Sequence, residues 1–370
     1  MIILHSSFAT VSFGHGGEKR SAQIRQILSA GNFDLTYVTD IKSQKINRSY
    51  GRKLLSVWFA LEIKVSMFKF KRFIEIARDF YTYSQFFNFH PGGLLIWEPD
   101  SKQDYHVPLI AKKCGWRVIA LPQNLESLVP GQFSTISNRP SPRWFDEEIL
   151  ALSQCDLVVA ISREEQWLLR LYGVHTDYLP YYPSSQVLES FQKVDRIREQ
   201  NENLDEVRRY VLLGTFGNFP TRLGMVDLIN EISRNLSALE QIIEIHVVGY
   251  GTENLKEFVD LNELIKVHGG VSQSELELLL ISAHGVIAHQ PSTTGSLTKI
   301  PEMLLAGLPV LLNVNAARSW HNCSGVFVYD SFEELFELMT KRLTVEKKPP
   351  PPASHINRFI KKIAEFSVDV

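Results

Sequence analysis

The sequence predicts an α/β protein of two domains, each a parallel sheet covered by helices. Three observations carry that expectation. Short β-branched or aliphatic runs recur along the 370 residues, spaced to leave room for a helix between them. These runs are short and mostly apolar on both faces, as strands buried in a parallel sheet are. Serine–glutamate pairs three residues apart follow several of the runs and mark helix starts, because the two side chains satisfy each other's orphan backbone N–H groups. A chain this long exceeds one ordinary core and suits two domains of about 150–200 residues each.

The first domain, residues 1–185, holds expected strands over 2–4, 35–39, 94–98, 118–121 and 157–161, and the Ser162–Glu165 pair opens the helix after the last of them. The alternation then breaks. Residues 184–209, "SSQVLESFQKVDRIREQNENLDEVRR", are polar and charged and fit no strand, so 186–209 is read as a linker. The second domain, 210–345, holds expected strands over 210–215, 243–248, 265–268, 286–289, 309–314 and 326–329, with helix starts at Ser272–Glu275 and Ser331–Glu334. Residues 346–370 begin with a hinge, Pro349 to Pro352, that favours extended polyproline backbone. Beyond it Ile356, Phe359, Ile360 and Ile363 fall at helical spacing and predict a terminal helix packing back on the body.

Composition narrows the function classes. Hydrophobic content of 44% and charged content of 22% are those of a soluble globular protein, and a net charge of −2 gives nucleic acid no electrostatic footprint. The three cysteines, Cys114, Cys155 and Cys323, form no CxxC pair, which argues against a disulfide framework or structural zinc and for a reducing compartment. The start, "MIILHSSFATVSFGHGG", has a short apolar run without a basic leader or cleavage site, so no secretory signal is expected. No stretch of the roughly 18 residues a membrane span needs is apolar throughout; the longest uncharged run, residues 278–298, is broken by His, Gln, Pro, Ser and Thr. These features point to the cytoplasm. The eleven histidines offer no metal-ligand spacing and no DxD-type pair is present, so no metal and no cofactor are expected. His289, ending an expected strand, is the best placed of them, with a hydrogen-bonded core histidine as its plainer role.

The chemistry concentrates in residues 293–312, "TTGSLTKIPEMLLAGLPVLL". Pro301 cannot sit deep in a helix, because it lacks an N–H and its ring clashes with the previous turn. The helix here therefore begins near Thr298–Ile300 and ends before Gly307. Lys299 and Glu302 then share one face of its first turn. Gly295 and Ser296 precede it, where bare backbone lets N–H groups approach an anion. Such a setting suits a nucleoside diphosphate: lysine and helix start neutralise the phosphates, and the glutamate takes two hydrogen bonds from a ribose diol. The plainer alternative is an exposed ion pair worth a few tenths of a kcal/mol. Gly16-Gly17 near the N-terminus is a second glycine turn, but it lacks the GxGxxG spacing of a dinucleotide site.

The order Gly295, Lys299, Glu302, then Ala306-Gly307-Leu308-Pro309-Val310, resembles the donor-site signature of GT-B glycosyltransferases, especially the large retaining group (glycosyltransferase family 4-like, group 1). Gly16-Gly17 with Arg20 resembles that family's N-terminal glycine loop. "CDLVVAIS", "LYGV" and "YLPYYPS" are similar to the end of its first domain, and "LLGTFGNFPTRLG" to the first strand and loop of its second. "HVVGYG" and "HGGVSQSELELLLISAHGVIAHQP" fit the next two units, so the resemblance spans roughly residues 1–342. It implies two facing Rossmann-like domains, with the donor nucleotide held mainly by the second and the acceptor by the first. The implied donor set is Gly16, Gly17, Gly217, Arg222, Thr294, Gly295, Ser296, Lys299 and Glu302. Lys299, the helix start and Arg222 would stabilise charge growing on the leaving diphosphate, and domain closure would exclude water.

Two positions depart from the family pattern. Where many members carry a further glutamate contacting the sugar, this chain has Thr294. Where they carry a histidine near the reacting carbon, the loop "LPQNLES" offers Gln123, followed by Asn124 and Glu126. Glu126 is the nearest candidate base or acceptor contact, with a solvated loop carboxylate as the alternative. The expected activity is transfer of a sugar, a hexose in most of the family, from a nucleoside-diphosphate donor to an unknown acceptor. A sugar-nucleotide epimerase or hydrolase of the same fold, or a non-catalytic nucleotide- or glycan-binding partner, are the alternatives.

One segment stands outside this scheme. Residues 42–78 carry Lys42, Lys45, Arg48, Arg52, Lys53, Lys64, Lys69, Lys71, Arg72 and Arg78 against Glu62 and Glu75. Interleaved are Leu54, Leu55, Val57, Trp58, Phe59, Met67, Phe68, Phe70, Phe73 and Ile74. Basic residues beside Trp and Phe on amphipathic helices seat soluble proteins on anionic membranes. Alternatively, the apolar residues face the domain core and the lysines form a solvated face.

Overall fold

The computed structural model describes residues 1–6, 8, 13–37, 50–63, 70–99, 104–200, 207–235 and 243–368. The chain divides into two compact units, one of residues 1–10, 24–180 and 352–370, the other of residues 11–23 and 181–351.

In the first unit six parallel strands run β1 (Ile2–Ser6), β2 (Leu35–Tyr37), β3 (Leu94–Glu98), β4 (Arg117–Ala120), β5 (Leu157–Ala160) and β6 (Thr176–Tyr178), in sheet order β2-β1-β3-β4-β5-β6. Every residue of β3 and β5 is buried, as the apolar runs Leu94–Trp97 and Leu157–Ala160 require, and the burial extends to Glu98 at the end of β3. Residues 38 and 39 of the second expected strand lie outside the described residues. β6 was not expected, since "TDY" is too short and too polar to stand out as a strand. One face of the sheet carries α1 (Gly16–Ala30) from Ile24 on and α12 (Ala353–Val368), whose Phe359 and Ile363 pack with Ile2, Leu4 and Ile24. The terminal helix thus buries the face its spacing marked. The other face is covered by α2 (Tyr50–Glu62), α3 (Phe70–Phe89), α4 (His106–Lys113), α5 (Phe145–Ser153) and α6 (Arg163–Leu171), around Trp97, Trp116 and Trp144. Ser162 caps α6, accepting from the Glu165 N–H.

The second unit holds β7 (Arg208–Leu213), β8 (Ile243–Val248), β9 (Ile265–Gly269), β10 (Gly285–Ala288), β11 (Val310–Asn313) and β12 (Val326–Tyr329), all parallel, in order β12-β11-β10-β7-β8-β9. Counted from its own first strand this is the 3-2-1-4-5-6 order of dinucleotide-binding sheets, whose direction reverses between β7 and β10. The helices are α7 (Ser185–Gln200), α8 (Phe219–Asn235), α9 (Gln273–Ser282), α10 (Lys299–Leu305) and α11 (Phe332–Thr340). Ser272 and Glu275 form a complete capping box at α9, and Ser331 accepts from the Glu334 N–H at α11.

Two boundaries differ from the sequence reading. The stretch read as a linker, 186–209, is mostly α7, which buries Val187, Phe191 and Val194 against the core of Val286, Leu304 and Val310. Those three positions are spaced i, i+4, i+7, one helical stripe hidden in a polar composition. Residues 13–23, placed with the first domain from chain order, cluster with the second unit. That assignment brings the N-terminal glycine turn to the site described next.

Candidate functional site

In open α/β sheets ligands bind beyond the carboxyl ends of the strands, where the strand order reverses. In the second unit that point lies beyond Leu213 and Ala288. Beyond β7 the chain enters the loop Gly214–Asn218 and then α8. A Cβ on Gly214 would stand 3.4 Å from the Lys299 ammonium, and one on Gly224 would fall 1.8 Å from the His289 carbonyl oxygen. The second approach, to backbone, is open only to glycine, and at Gly214 the Cβ would also fall 2.5 Å from Thr221 Cγ2.

Lys299 donates to the Leu213 carbonyl, at the end of the strand beside which the order reverses. Burial, and secondarily the Lys19 charge, lower its pKa to about 8, against the opposing pull of Glu302. Glu302, 1% exposed, is not an exposed partner of Lys299. Its Oε1 accepts from the Tyr181 hydroxyl at 2.7 Å and its Oε2 from the Lys19 ammonium at 2.7 Å. Burial first, then the Glu302 charge and hydrogen bond, push the Tyr181 hydroxyl far above its ordinary pKa. Gly16 opens α1 against Thr298, whose Oγ1 a Cβ on Gly16 would meet at 3.3 Å, and Gly17 follows it into the same first turn.

The loop before α10 is braced from behind. Gly295 sits at φ 82°, a left-handed conformation that favours glycine. Arg318 donates to the carbonyls of Gly295 (3.1 Å), Thr294 (3.4 Å) and Asn315, and to the Gln290 side chain at 3.1 Å. The Trp320 indole N–H donates to Ser296 Oγ at 2.9 Å. Asn313 fixes the loop's start, accepting from the Gln290 N–H and donating to its carbonyl. The structure therefore gathers Gly16, Thr294, Gly295, Ser296, Lys299 and Glu302 into one place. Gly217 faces open space in the loop after β7. Arg222 instead lies over the Phe219 and Phe258 rings, 5.3 and 5.7 Å from their centroids. His289 is a satisfied core histidine, bonded to the Tyr329 hydroxyl at 2.9 Å and 3.2 Å from the Asp227 carboxylate.

In the first unit, Gln123, Asn124 and Glu126 lie in the loop after β4. Glu126 is 8% exposed rather than solvated, and accepts from the Asn124 amide at 3.1 Å. Two buried carboxylates organise this loop. Glu148 accepts from the Glu126 and Ser127 N–H groups at 2.9 Å each, and from the Ser127 and Tyr105 hydroxyls at 2.5 Å each. Glu165 accepts from the Leu125 N–H at 3.0 Å. Burial raises the Glu148 pKa, and its four donors oppose the rise. The Gln123 Nε2 is buried with no hydrogen-bond partner among the described residues.

Sequence reasoning missed Lys19, Tyr181, Arg318, Trp320 and Glu148. Lys19 alone had a local signal, one helical turn after Gly16; the others are joined to the site only by folding. Among the described residues no cluster of three His, Cys, Asp or Glu could hold a metal ion, and no helix is long and apolar enough to cross a membrane.

The fold is that of GT-B glycosyltransferases. Among solved structures, sucrose-phosphate synthase from Thermosynechococcus elongatus matches with TM-score 0.62 and 13% identity, over 98% of this chain and 96% of that one. HepE from Anabaena, in complex with UDP and glucose, matches with TM-score 0.55 and 12% identity, over 100% of this chain and 99% of that one. Trehalose 6-phosphate synthase from Burkholderia multivorans matches with TM-score 0.54 and 10% identity, over 99% and 92%. No family model matches the sequence, and no curated protein matches it.

Proposed function

We propose that the protein is a glycosyltransferase that moves a sugar, a hexose, from a nucleoside-diphosphate donor to a glycan, lipid-linked or small-molecule acceptor, without a metal. The observation that supports this best is Lys299, a lysine of lowered pKa bonded to the end of β7 beside the Gly295 turn. In the reaction the bond from the anomeric carbon to the diphosphate oxygen breaks and a bond to an acceptor oxygen forms. Lys299 and the N–H groups of the Gly295–Ser296 turn would receive the charge left on the diphosphate, where preorganised donors contribute most. The acceptor's hydroxyl proton must leave, and Glu126, steadied by Asn124 and by the Glu148-held loop, is the proposed base. Glu302 would take the ribose diol on its remaining lone pairs, beside the Tyr181 hydroxyl, and Lys19 would turn from that carboxylate to the phosphates.

A second reading, nucleotide binding without transfer, is favoured by Thr294, which offers the sugar only a neutral contact where a carboxylate would offer a charged one. Calorimetry with UDP, GDP, ADP and CDP and their glucose conjugates tests both; HepE binds UDP and UDP-glucose, so the uridine pair comes first. A matching ligand at a hundred times its dissociation constant adds about 2.7 kcal/mol of stability. The bare diphosphate is expected to bind within about 1.5 kcal/mol of its sugar conjugate, one neutral hydrogen bond or so. If no nucleoside diphosphate binds, the site assignment fails. A sugar conjugate that binds a hundredfold tighter would show that other residues hold the sugar, and the non-catalytic reading would lose its support.

A further inference from the structure

In the first unit α2 packs on α3, and most of the apolar residues of α2 face outward. Among its described side chains only Ser56, Phe59 and Ala60 are buried, with Ile63 packed against the same core. Leu54 (74% exposed), Trp58 (70%), Leu61 (57%) and Val57 (44%) occupy the middle of the opposite face. By the 100° turn per residue these four span one contiguous stripe, with exposed Lys53 on one border and Glu62, paired to Lys113, on the other. The exposed face of α3 continues the pattern with Phe70, Lys71, Ile74 and Arg78, while Phe80 stacks on Phe59 at 4.5 Å to join the helices.

A helix apolar on both faces is stable only with both faces covered. An exposed apolar stripe of this kind marks a docking surface. Its charge identifies the occupant. Ten basic residues lie between positions 42 and 78; of the described ones Lys53, Lys71 and Arg78 are exposed, whereas Arg72 is taken up by Glu75 and Asp104, and Glu62 is paired with Lys113. Lys42, Lys45, Arg48, Lys64, Lys69, Met67 and Phe68 lie outside the described residues, and they and the Arg52 side chain enter only through their sequence. An aromatic and aliphatic stripe bordered by lysines matches the boundary between acyl chains and anionic headgroups.

We infer that the outer face of α2 and α3, centred on Trp58 and Leu61, docks on an anionic lipid bilayer. Docking is a property of the first unit and does not depend on the proposed transfer activity. The test is flotation of the full-length protein with vesicles of phosphatidylcholine alone and of phosphatidylcholine mixed with phosphatidylglycerol. Binding is expected to the mixed vesicles at low salt and to be lost at high salt, since attraction between exposed charges is screened beyond about 8–10 Å near physiological ionic strength. Trp58→Glu with Leu61→Glu should abolish it, and Lys53→Glu with Lys71→Glu should weaken it at least tenfold. These positions are exposed, so both variants should melt with the wild type and bind nucleotide unchanged. The inference is overturned if the wild type ignores anionic vesicles at low salt, or if Trp58→Glu with Leu61→Glu still floats. It is equally overturned if that variant converts an oligomer to a monomer, since a second copy would then cover the stripe.

Discussion

Lys299→Met separates the two roles a buried lysine can have, structural and electrostatic. In the folded protein its pKa is lowered to about 8 from an ordinary 10.5, chiefly by burial. Keeping it charged at pH 7 therefore costs up to about 3 kcal/mol of stability, at 1.36 kcal/mol per pH unit. Methionine removes that cost but leaves the Leu213 carbonyl without its donor, a loss of about 1–3 kcal/mol. At pH 7 the variant should be as stable as the wild type, or up to about 2 kcal/mol more stable. The pH trend is more diagnostic. Between about pH 8 and 10.5 the unfolded lysine keeps its proton while the folded one releases it, so wild-type stability rises with pH. Below pH 8 both forms are charged and the cost is constant. Urea denaturation from pH 7 to about 9.5 should show the wild type gaining about 1–2 kcal/mol on Lys299→Met. Binding should move oppositely, because a diphosphate holds the lysine charged: wild-type affinity should fall above pH 8 by up to about tenfold per unit, and the variant's weaker affinity should not follow. Stability curves that stay parallel across the range would refute the burial argument, and with it the case for Lys299 as a phosphate ligand held ready at a cost to stability.

Arg318→Lys keeps the charge but loses the planar fork that reaches the Gly295 and Thr294 carbonyls and Gln290 together. It should weaken nucleoside-diphosphate binding about tenfold, or about 1.4 kcal/mol, by calorimetry, with millimolar guanidinium partly restoring affinity in Arg318→Ala; unchanged binding would remove Arg318 from the site. Glu148→Ala orphans four donors in a dry interior and should cost about 3–5 kcal/mol in urea denaturation, whereas a loss below about 1 kcal/mol would show that the acceptor-side loop holds itself.

Much of this molecule is written locally. The strand runs, the serine–glutamate caps and the i, i+3 placement of Lys299 and Glu302 after a glycine turn all depend on neighbours within a few residues. Hence the parallel sheets, the second-unit strand set and the helix start that places Lys299 and Glu302 in the candidate site were legible. Composition misled where periodicity should have ruled: α7 is polar on average, yet Val187, Phe191 and Val194 make it part of the core. What local pattern could not reveal is the partner of each charged group. The carboxylate of Glu302 faces Lys19, 283 positions away in sequence, and Tyr181, 121 positions away, rather than the lysine three residues before it.

That difference bears on how the site works. An exposed lysine–glutamate pair on one helix turn would neutralise itself and offer a ligand little. Here the pair is divided: Lys299 donates to a strand-end carbonyl beside the strand-order reversal, and Glu302 is held by an ammonium and a phenol. The carboxylate sits in a nearly dry position and accepts from two donors, as a buried polar group must. One of those donors, Lys19, belongs to the first turns of α1, just past the Gly16-Gly17 turn, so the glycine turn and the ribose candidate are already coupled. A nucleotide that takes Glu302 through its ribose releases the Lys19 ammonium in the same step, and its phosphates then offer that ammonium an anion in exchange. Ribose and diphosphate recognition should therefore be cooperative. A nucleoside without phosphates leaves Lys19 unpaid and should bind far more weakly than the loss of its own phosphate contacts with Lys299 would account for. Comparing uridine, UMP and UDP in the wild type and in Lys19→Met measures this. In the variant the penalty on uridine should shrink, and an unchanged ratio of affinities would refute the coupling.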